Sequence, residues 1–356
     1  MENIAARYIP YKFYFKQPAG TSRGTLLTKD TWFLVLSRAG HTAIGECAMF
    51  RGLSADDTPD FEQKLASVCA AINAGAVVHP DDLSDYPAIR FGLECALGDL
   101  QASEKGETFM GSDFTAGKDF IPINGLVWMG SYREMSVRVR KKIEQGYRCI
   151  KIKIGAIRFE EELELIRWIR RYYTERDIEI RVDANGAFSP AEAPERLKRL
   201  ADLHLHSIEQ PIRAGQVEAM ARLCETPPLP IALDEELIGV RSAEEKQRLL
   251  RQIKPQYIVL KPSLVGGIRS CQEWTDAAME TGTDYWITSA LESNVGLYAI
   301  ARFSYLCRHD IPQGLGTGAL FTANPDYPFD VAAGRFRLTA PAPPAQAVAE
   351  ALAKQP

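Results

Sequence analysis

The sequence predicts an α/β protein built on a closed parallel barrel, with a short antiparallel region ahead of it. Three observations carry this. From about residue 120, short apolar runs alternate with amphipathic helical stretches, and the run ends recur every ~25–30 residues, the length of one βα unit. Eight such runs follow in series, the number that closes a barrel. Charged residues (Lys153, Asp183, Glu209, Asp234 and Lys261) stand at the C-terminal ends of five of them. An open doubly wound sheet would require a reversal of strand order, which no sequence displays.

The elements follow in order. Residues 8–15 are rich in aromatics, and the runs 32–36 and 43–46 flank a turn at Ala39-Gly40-His41, so antiparallel strands are expected here. Between the first two lies Gln17-Pro-Ala-Gly-Thr-Ser-Arg-Gly24. Its two glycines, small polar residues and Arg23 suit either a mobile flap over a site or an ordinary hairpin connection. Two helices follow over 60–74 and 88–105, the second with Ile89, Leu93, Leu97 and Leu100 along one stripe. The predicted barrel strands are 120–124, 149–154, 178–183, 207–209, 231–234, 257–261, 285–289 and 312–315. Helical patterns fill the gaps, as with Phe159, Leu163, Ile166 and Tyr173. After Gly318 the pattern breaks: a turn-rich Asn324-Pro-Asp-Tyr-Pro link leads to a predicted strand over 334–338, a proline-rich stretch and an alanine-rich tail.

Composition narrows the function. The 356 residues hold a barrel and roughly one smaller domain. Basic and acidic residues number 42 and 46, the net charge is −4, and there is no basic stripe for nucleic acid. The seven cysteines are odd in number and lack CxxC spacing, so they are expected as small core hydrophobes of a reducing compartment. No apolar run reaches spanning length and no signal-peptide pattern opens the chain, which points to a cytoplasmic protein with no membrane partner. A homo-oligomer stays open.

The chemistry centres on Arg148-Cys-Ile-Lys-Ile-Lys-Ile-Gly155. Alternation with period two puts Lys151 and Lys153 on one face and Ile150, Ile152 and Ile154 on the other. With the aliphatic face under helices, both lysines point into the barrel. Two ammonium groups ~7 Å apart at an effective dielectric near 20 repel by ~2 kcal/mol, so depressed pKa values are expected and one lysine becomes a candidate base. Taken alone the strand also suits an exposed edge protected by lysines. The next strands decide against that, because Asp183, Glu209 and Asp234 end three successive ones and converge on the same mouth. Carboxylates within ~4 Å repel by ~4 kcal/mol per pair at that dielectric, so they require a cation. All-oxygen donors select a hard ion, Mg²⁺ or, as a substitute, Mn²⁺. His206 falls on the face opposite Glu209 and is expected in packing. Arg181 shares the face of Asp183 and either tunes the site's charge or forms an internal ion pair.

Lys151-x-Lys153, Val182-Asp-Ala-Asn-Gly186, Ile208-Glu-Gln-Pro211, Leu233-Asp-Glu-Glu236 and Leu260-Lys-Pro-Ser263 resemble the enolase superfamily in order and spacing. The resemblance covers essentially the whole chain. It implies a modified (β/α)7β TIM-like barrel over 119–320 and an α+β capping domain over 1–118, completed by the C-terminal segment 321–356. It also implies that Asp183, Glu209 and Asp234 ligate Mg²⁺, that Lys153 is the general base beside Lys151, and that Lys261 faces Lys153 across a small-molecule carboxylate substrate. Ser289-Ala-Leu-Glu-Ser-Asn-Val-Gly296 and Gln313-Gly-Leu-Gly-Thr-Gly318 are similar to the o-succinylbenzoate synthases, dehydratases of menaquinone biosynthesis. The N-succinylamino acid racemases share the lysine pair and stay open as an alternative, with a non-catalytic metal-binding relative third. Ser289 and Gly316 in these segments, and Arg23 on the flap, are the candidate substrate-binding residues.

Overall fold

The computed structural model describes residues 2–21, 24–307 and 310–354. Three antiparallel strands open it: β1 (Ala5–Thr21), β2 (Gly24–Arg38) and β3 (His41–Cys47). The segment Gln17–Thr21, expected as a loop, continues β1. It pairs antiparallel with β2 as far as Thr21 opposite Gly24. The register slips between Tyr14 and Ala19, because residues 14–16 turn their hydrogen bonds toward 320–322 instead. Helices α1 (Phe61–Asn73) and α2 (Pro87–Glu104) cover one face of this sheet, packing on Trp32, Leu34 and Leu36. The other face, with Phe13, Phe33 and Val35, joins the main core. Period-two alternation of apolar residues on both faces explains why β2 is buried from both sides.

The barrel follows: β4 (Ile121–Pro122), β5 (Gly125–Val127), α3 (Tyr132–Glu144), β6 (Cys149–Lys153), α4 (Phe159–Tyr172), β7 (Glu179–Asp183), α5 (Ala193–Ala201), β8 (Ser207–Glu209), α6 (Val217–Glu225) and β9 (Ile231–Leu233). Then come α7 (Ala243–Ile253), β10 (Tyr257–Leu260), α8 (Pro262–Val265), α9 (Gly267–Thr281), β11 (Asp284–Ile287) and α10 (Asn294–Leu306). Strands β5 to β11 form one parallel seven-stranded sheet in sequence order. Its edges meet through residues 313 and 314, which bridge Ile123 on one side and Thr288 on the other. Four backbone hydrogen bonds of 2.8–3.1 Å complete that closure, from Asn124, Gln313, Gly314 and Ser289.

Two expectations shift here. The predicted first barrel strand, 120–124, is not the one that joins the sheet. Ile121–Pro122 pairs instead with β13 (Arg335–Leu338), itself paired with β12 (Phe329–Ala332), and the barrel strand is Gly125–Val127. Proline 122 lacks an amide donor and so suits a short edge strand. The eighth strand is reduced to two bridges, with Gly314 required because a Cβ there would lie 1.5 Å from Thr288 Oγ1. Helix α11 (Ala345–Ala353) closes the chain against β3 and β1, with Thr42 hydrogen-bonded to Gln346.

Candidate active site

Strand β6 delivers its lysines as the alternation requires. Ile150, Ile152 and Ile154 are fully buried against the helical layer, while Lys151 and Lys153 point inward. The parallel register sets Lys151 beside Arg181 and Lys153 beside Asp183, and then Asp183 beside Glu209. Asp234 and Lys261 follow directly after β9 and β10. Strands β6 and β10 are four places apart in an eight-membered ring, so Lys153 and Lys261 approach from opposite sides.

The contacts interlock the two charge types. Lys151 Nζ lies 3.0 Å from Asp183 Oδ2 and 2.5 Å from Glu209 Oε2. Lys153 Nζ donates to Asp183 Oδ2 at 3.1 Å and to Asn185 Oδ1 at 2.7 Å, and sits 5.7 Å from the centre of the Trp128 ring. Lys261 donates to Asp234. Lys151, Lys153, Asp183 and Lys261 line a cavity of about 80 Å³ whose wall includes Trp128, Phe50, Ser289, Leu291, Gly316 and Thr317.

The expected depression of the lysine pKa by mutual repulsion is overturned at Lys151. Burial alone would lower it, but the carboxylates of Asp183, Glu209 and Asp234 hold it well above the ordinary lysine value. Repulsion between the two lysines of one strand is outweighed by the acids that the neighbouring strands bring in. Lys261 is likewise raised, against the effect of burial, by Asp234, Glu209 and Glu235. Burial would raise Asp183, yet the three ammonium groups keep it well below the carboxylate range. Glu209 goes the other way: burial and then the Asp183 charge push it up to about 8.

The acids are not packed against one another. Among the described residues no three His, Cys, Asp or Glu side chains are gathered closely enough to hold a metal as they stand. The ammonium groups supply the positive charge between them. The donor set nevertheless fits a hard cation. It is all oxygen, and Glu209 Oε1 is buried without a hydrogen-bond partner among the described residues, in a carboxyl group that burial and Asp183 keep from ionising readily.

The remaining candidates fall as follows. Ser289 lines the cavity, with its hydroxyl 2.5 Å from that of Thr317. Gly316 also lines it, and a Cβ there would meet nothing closer than 3.6 Å, so no neighbour in the fold demands its glycine. Arg23 lies outside the described residues. Arg181 is buried below Asp183, paired with Glu179 at 2.7 Å, donating to Pro312 O and stacked over Trp286. That is the internal ion pair the sequence left open. His206 packs on Tyr257 near the same level. All seven cysteines are free.

Sequence reasoning missed Asn185 and Gln210. Both hold a left-handed backbone, with φ of 44° and 41°, directly beyond the ends of β7 and β8. Asn185 fixes Lys153 and donates to Glu235 at 3.0 Å. Gln210, fully buried, accepts the Asp234 amide at 3.1 Å and donates to Glu236. Their signal was present as the Asn of Asp-Ala-Asn-Gly and the Gln of Glu-Gln-Pro.

Residues 134–343 match the family model for the enolase C-terminal domain-like fold. An o-succinylbenzoate synthase of Desulfotalea psychrophila is 46% identical, over 91% of this chain and 96% of that protein. One from Geobacillus stearothermophilus is 30% identical over 83% and 79%. The crystal structure of MenC from Desulfotalea psychrophila superposes with a TM-score of 0.84 at 40% identity, covering 95% of this chain and all of that one. The L-Ala-D/L-Glu epimerase of Bacillus subtilis shares the fold, with a TM-score of 0.82 at 19% identity over 96% and 98%. This chain belongs to the enolase superfamily and, within it, to the family of the o-succinylbenzoate synthases, which are lyases.

Proposed function

We propose that the protein catalyses the Mg²⁺-dependent syn dehydration of 2-succinyl-6-hydroxy-2,4-cyclohexadiene-1-carboxylate to o-succinylbenzoate, in the cytoplasm. The observation that carries this is the opposed pair Lys153 and Lys261 in one cavity, backed by three acids on successive strands. Asp183, Glu209 and Asp234 would hold the metal. When bound, the ion polarises the substrate carboxylate so that charge developing after α-proton removal is stabilised, an effect of several kcal/mol.

Lys153 takes the α-proton on its Nζ, with Asn185 and the Trp128 ring limiting where that nitrogen can sit. Its conjugate acid then gives the proton to the departing hydroxyl on the same face. The C–O bond breaks, water leaves, and the ring becomes aromatic. Lys261 stays cationic beside the developing negative charge, as its raised pKa favours. Lys151 screens Asp183 from Glu209.

A second reading, racemisation of an N-succinylamino acid, draws on the same opposed lysines, since a proton could leave one face and return on the other. Steady-state assay of the Mg²⁺-loaded protein on both substrates separates them. Dehydration well above racemisation is expected, lost in EDTA and restored by Mg²⁺ or Mn²⁺. Rapid racemisation with negligible dehydration promotes the second reading, and full activity in metal-free protein removes the metal assignment.

A further inference from the structure

Outside the lysine–carboxylate centre, three charged side chains are buried between the antiparallel sheet and the barrel mouth: Lys29 on β2, Glu46 on β3 and Glu292 just ahead of α10. Glu292 is completely enclosed. Its Oε2 accepts the Ala290 amide at 2.6 Å and its Oε1 accepts the Ser263 hydroxyl. Ala290 and Leu291 belong to the cavity wall beside Ser289, and Ser263 lies two residues beyond Lys261. One carboxylate therefore ties the segment after β11 to the turn that carries Lys261. Leu291 sits at φ 64°, a left-handed conformation that a bulky residue keeps only when its surroundings impose it. The Glu292 side chain folding back on the Ala290 amide closes the turn that does so.

The other two charges link this turn to the sheet. Glu46 accepts the amides of Ser293 and Gly296 at 3.0 Å each, and the hydroxyls of Ser293 and Thr31. It thus caps the N-terminus of α10 from across the interface. Lys29 is buried, and its ammonium has no hydrogen-bond partner among the described residues. Burial lowers the Lys29 pKa against the pull of the Glu46 and Glu292 carboxylates, and its charge in turn opposes the rise that burial gives Glu292.

We propose that Glu292 is a positioning residue for the active site, holding Lys261 and the Ser289–Leu291 wall in register through Ser263 and Ala290, with Lys29 of the sheet as its buried counter-charge. This rests on the reading of Lys261 as the residue that faces Lys153 across the substrate. The seating of the sheet and the placement of Lys261 are then linked, because Glu46 of the sheet holds the Ser293 and Gly296 amides directly beyond Glu292.

The test uses the Mg²⁺-loaded full chain and the variants Ser263→Ala, Glu292→Gln, Lys29→Met and the Lys29→Met/Glu292→Gln pair. Wild type is assayed first on the cyclohexadiene and on an N-succinylamino acid; turnover of either supplies kcat, and turnover of neither sinks the functional reading by itself. Glu292→Gln is expected to lower kcat by about tenfold or more with KM moved less than about threefold, as misplacement of a reacting group does. Ser263→Ala, which deletes one hydroxyl, is expected to lower kcat about fivefold with Tm nearly unchanged. The losses of Lys29→Met and Glu292→Gln should not multiply in the pair, since each removes half of one interaction. If kcat for both Ser263→Ala and Glu292→Gln stays within about twofold of wild type, whatever Tm does, the positioning role is overturned. Multiplying losses overturn the part given to Lys29. Should Glu292→Gln fail to fold, Ser263→Ala decides. Should wild type turn over neither substrate, amide exchange decides: Ser263→Ala must speed exchange over 286–294 as well as 260–265, and a change confined to the latter overturns the link.

Discussion

Removing the Lys151 ammonium tests the electrostatics of the centre directly. In Lys151→Met the side chain keeps most of its length and loses its charge, leaving Asp183 and Glu209 facing each other with about 2% exposure or less. Each lost pair, at 2.5–3.0 Å, is a gross attraction of about 6 kcal/mol at an effective dielectric of 20. Most of that is offset by desolvation, and breaking a buried pair from one side costs about 3–5 kcal/mol net. With an unfolding entropy of about 2.1 cal/mol/K per residue over 356 residues, metal-free Lys151→Met should melt about 4–7 °C below wild type. Saturating Mg²⁺ should recover most of the difference, because a cation bound by the acids replaces the missing charge. Circular-dichroism melts in EDTA and in Mg²⁺, on both proteins, read this out. A deficit that Mg²⁺ leaves untouched, or a metal-free shift under about 1 °C, would refute the view that these acids are held together by positive charge and await a metal.

Three further outcomes are expected. Lys153→Ala should abolish dehydration while Mg²⁺ affinity measured by calorimetry stays near wild type, and Lys261→Arg should keep more activity than Lys261→Ala, since guanidinium retains the charge without serving as a base. Gly314→Ala should fold poorly or not at all, its Cβ colliding with Thr288 where the barrel closes, whereas Gly316→Ala should melt near wild type and raise KM by narrowing the cavity. Asp56 is buried with Oδ1 unpartnered among the described residues, and burial raises it to about 7. Its folded pKa exceeds the unfolded one, so the associated stability is full below about pH 4 and is lost as pH rises to about 7, on the order of 4 kcal/mol. Asp56→Asn should flatten the fall in Tm across that window and still accept the Ala88 amide; an unchanged pH profile would return Asp56 to an ordinary helix-capping role.

The local pattern determined a good deal of this protein by itself. Period two in 149–154 and 178–183 assigns Lys151, Lys153, Arg181 and Asp183 to the barrel interior, because burying the isoleucine and valine faces leaves them no other side. The recurrence of βα units gave the parallel order of the seven strands, since short right-handed crossovers permit little else. What lay between elements was decided in three dimensions. The split of 120–124 depended on β13, more than 200 residues away, offering a partner to Ile121–Pro122, and a single-segment pattern carries no trace of that pairing. The continuation of β1 to Thr21 likewise depended on its neighbour β2, and the register slip beyond Tyr14 on residues 320–322. The charge state of the centre is the sharpest case. From one strand, two like charges repel and Lys151 should lose its proton more easily. With the ends of β7, β8 and β9 beside it, three acids outweigh both the second lysine and burial, and the shift reverses. Alternation along one strand tells which way a side chain points; its electrostatics are a sum over every strand that points to the same place.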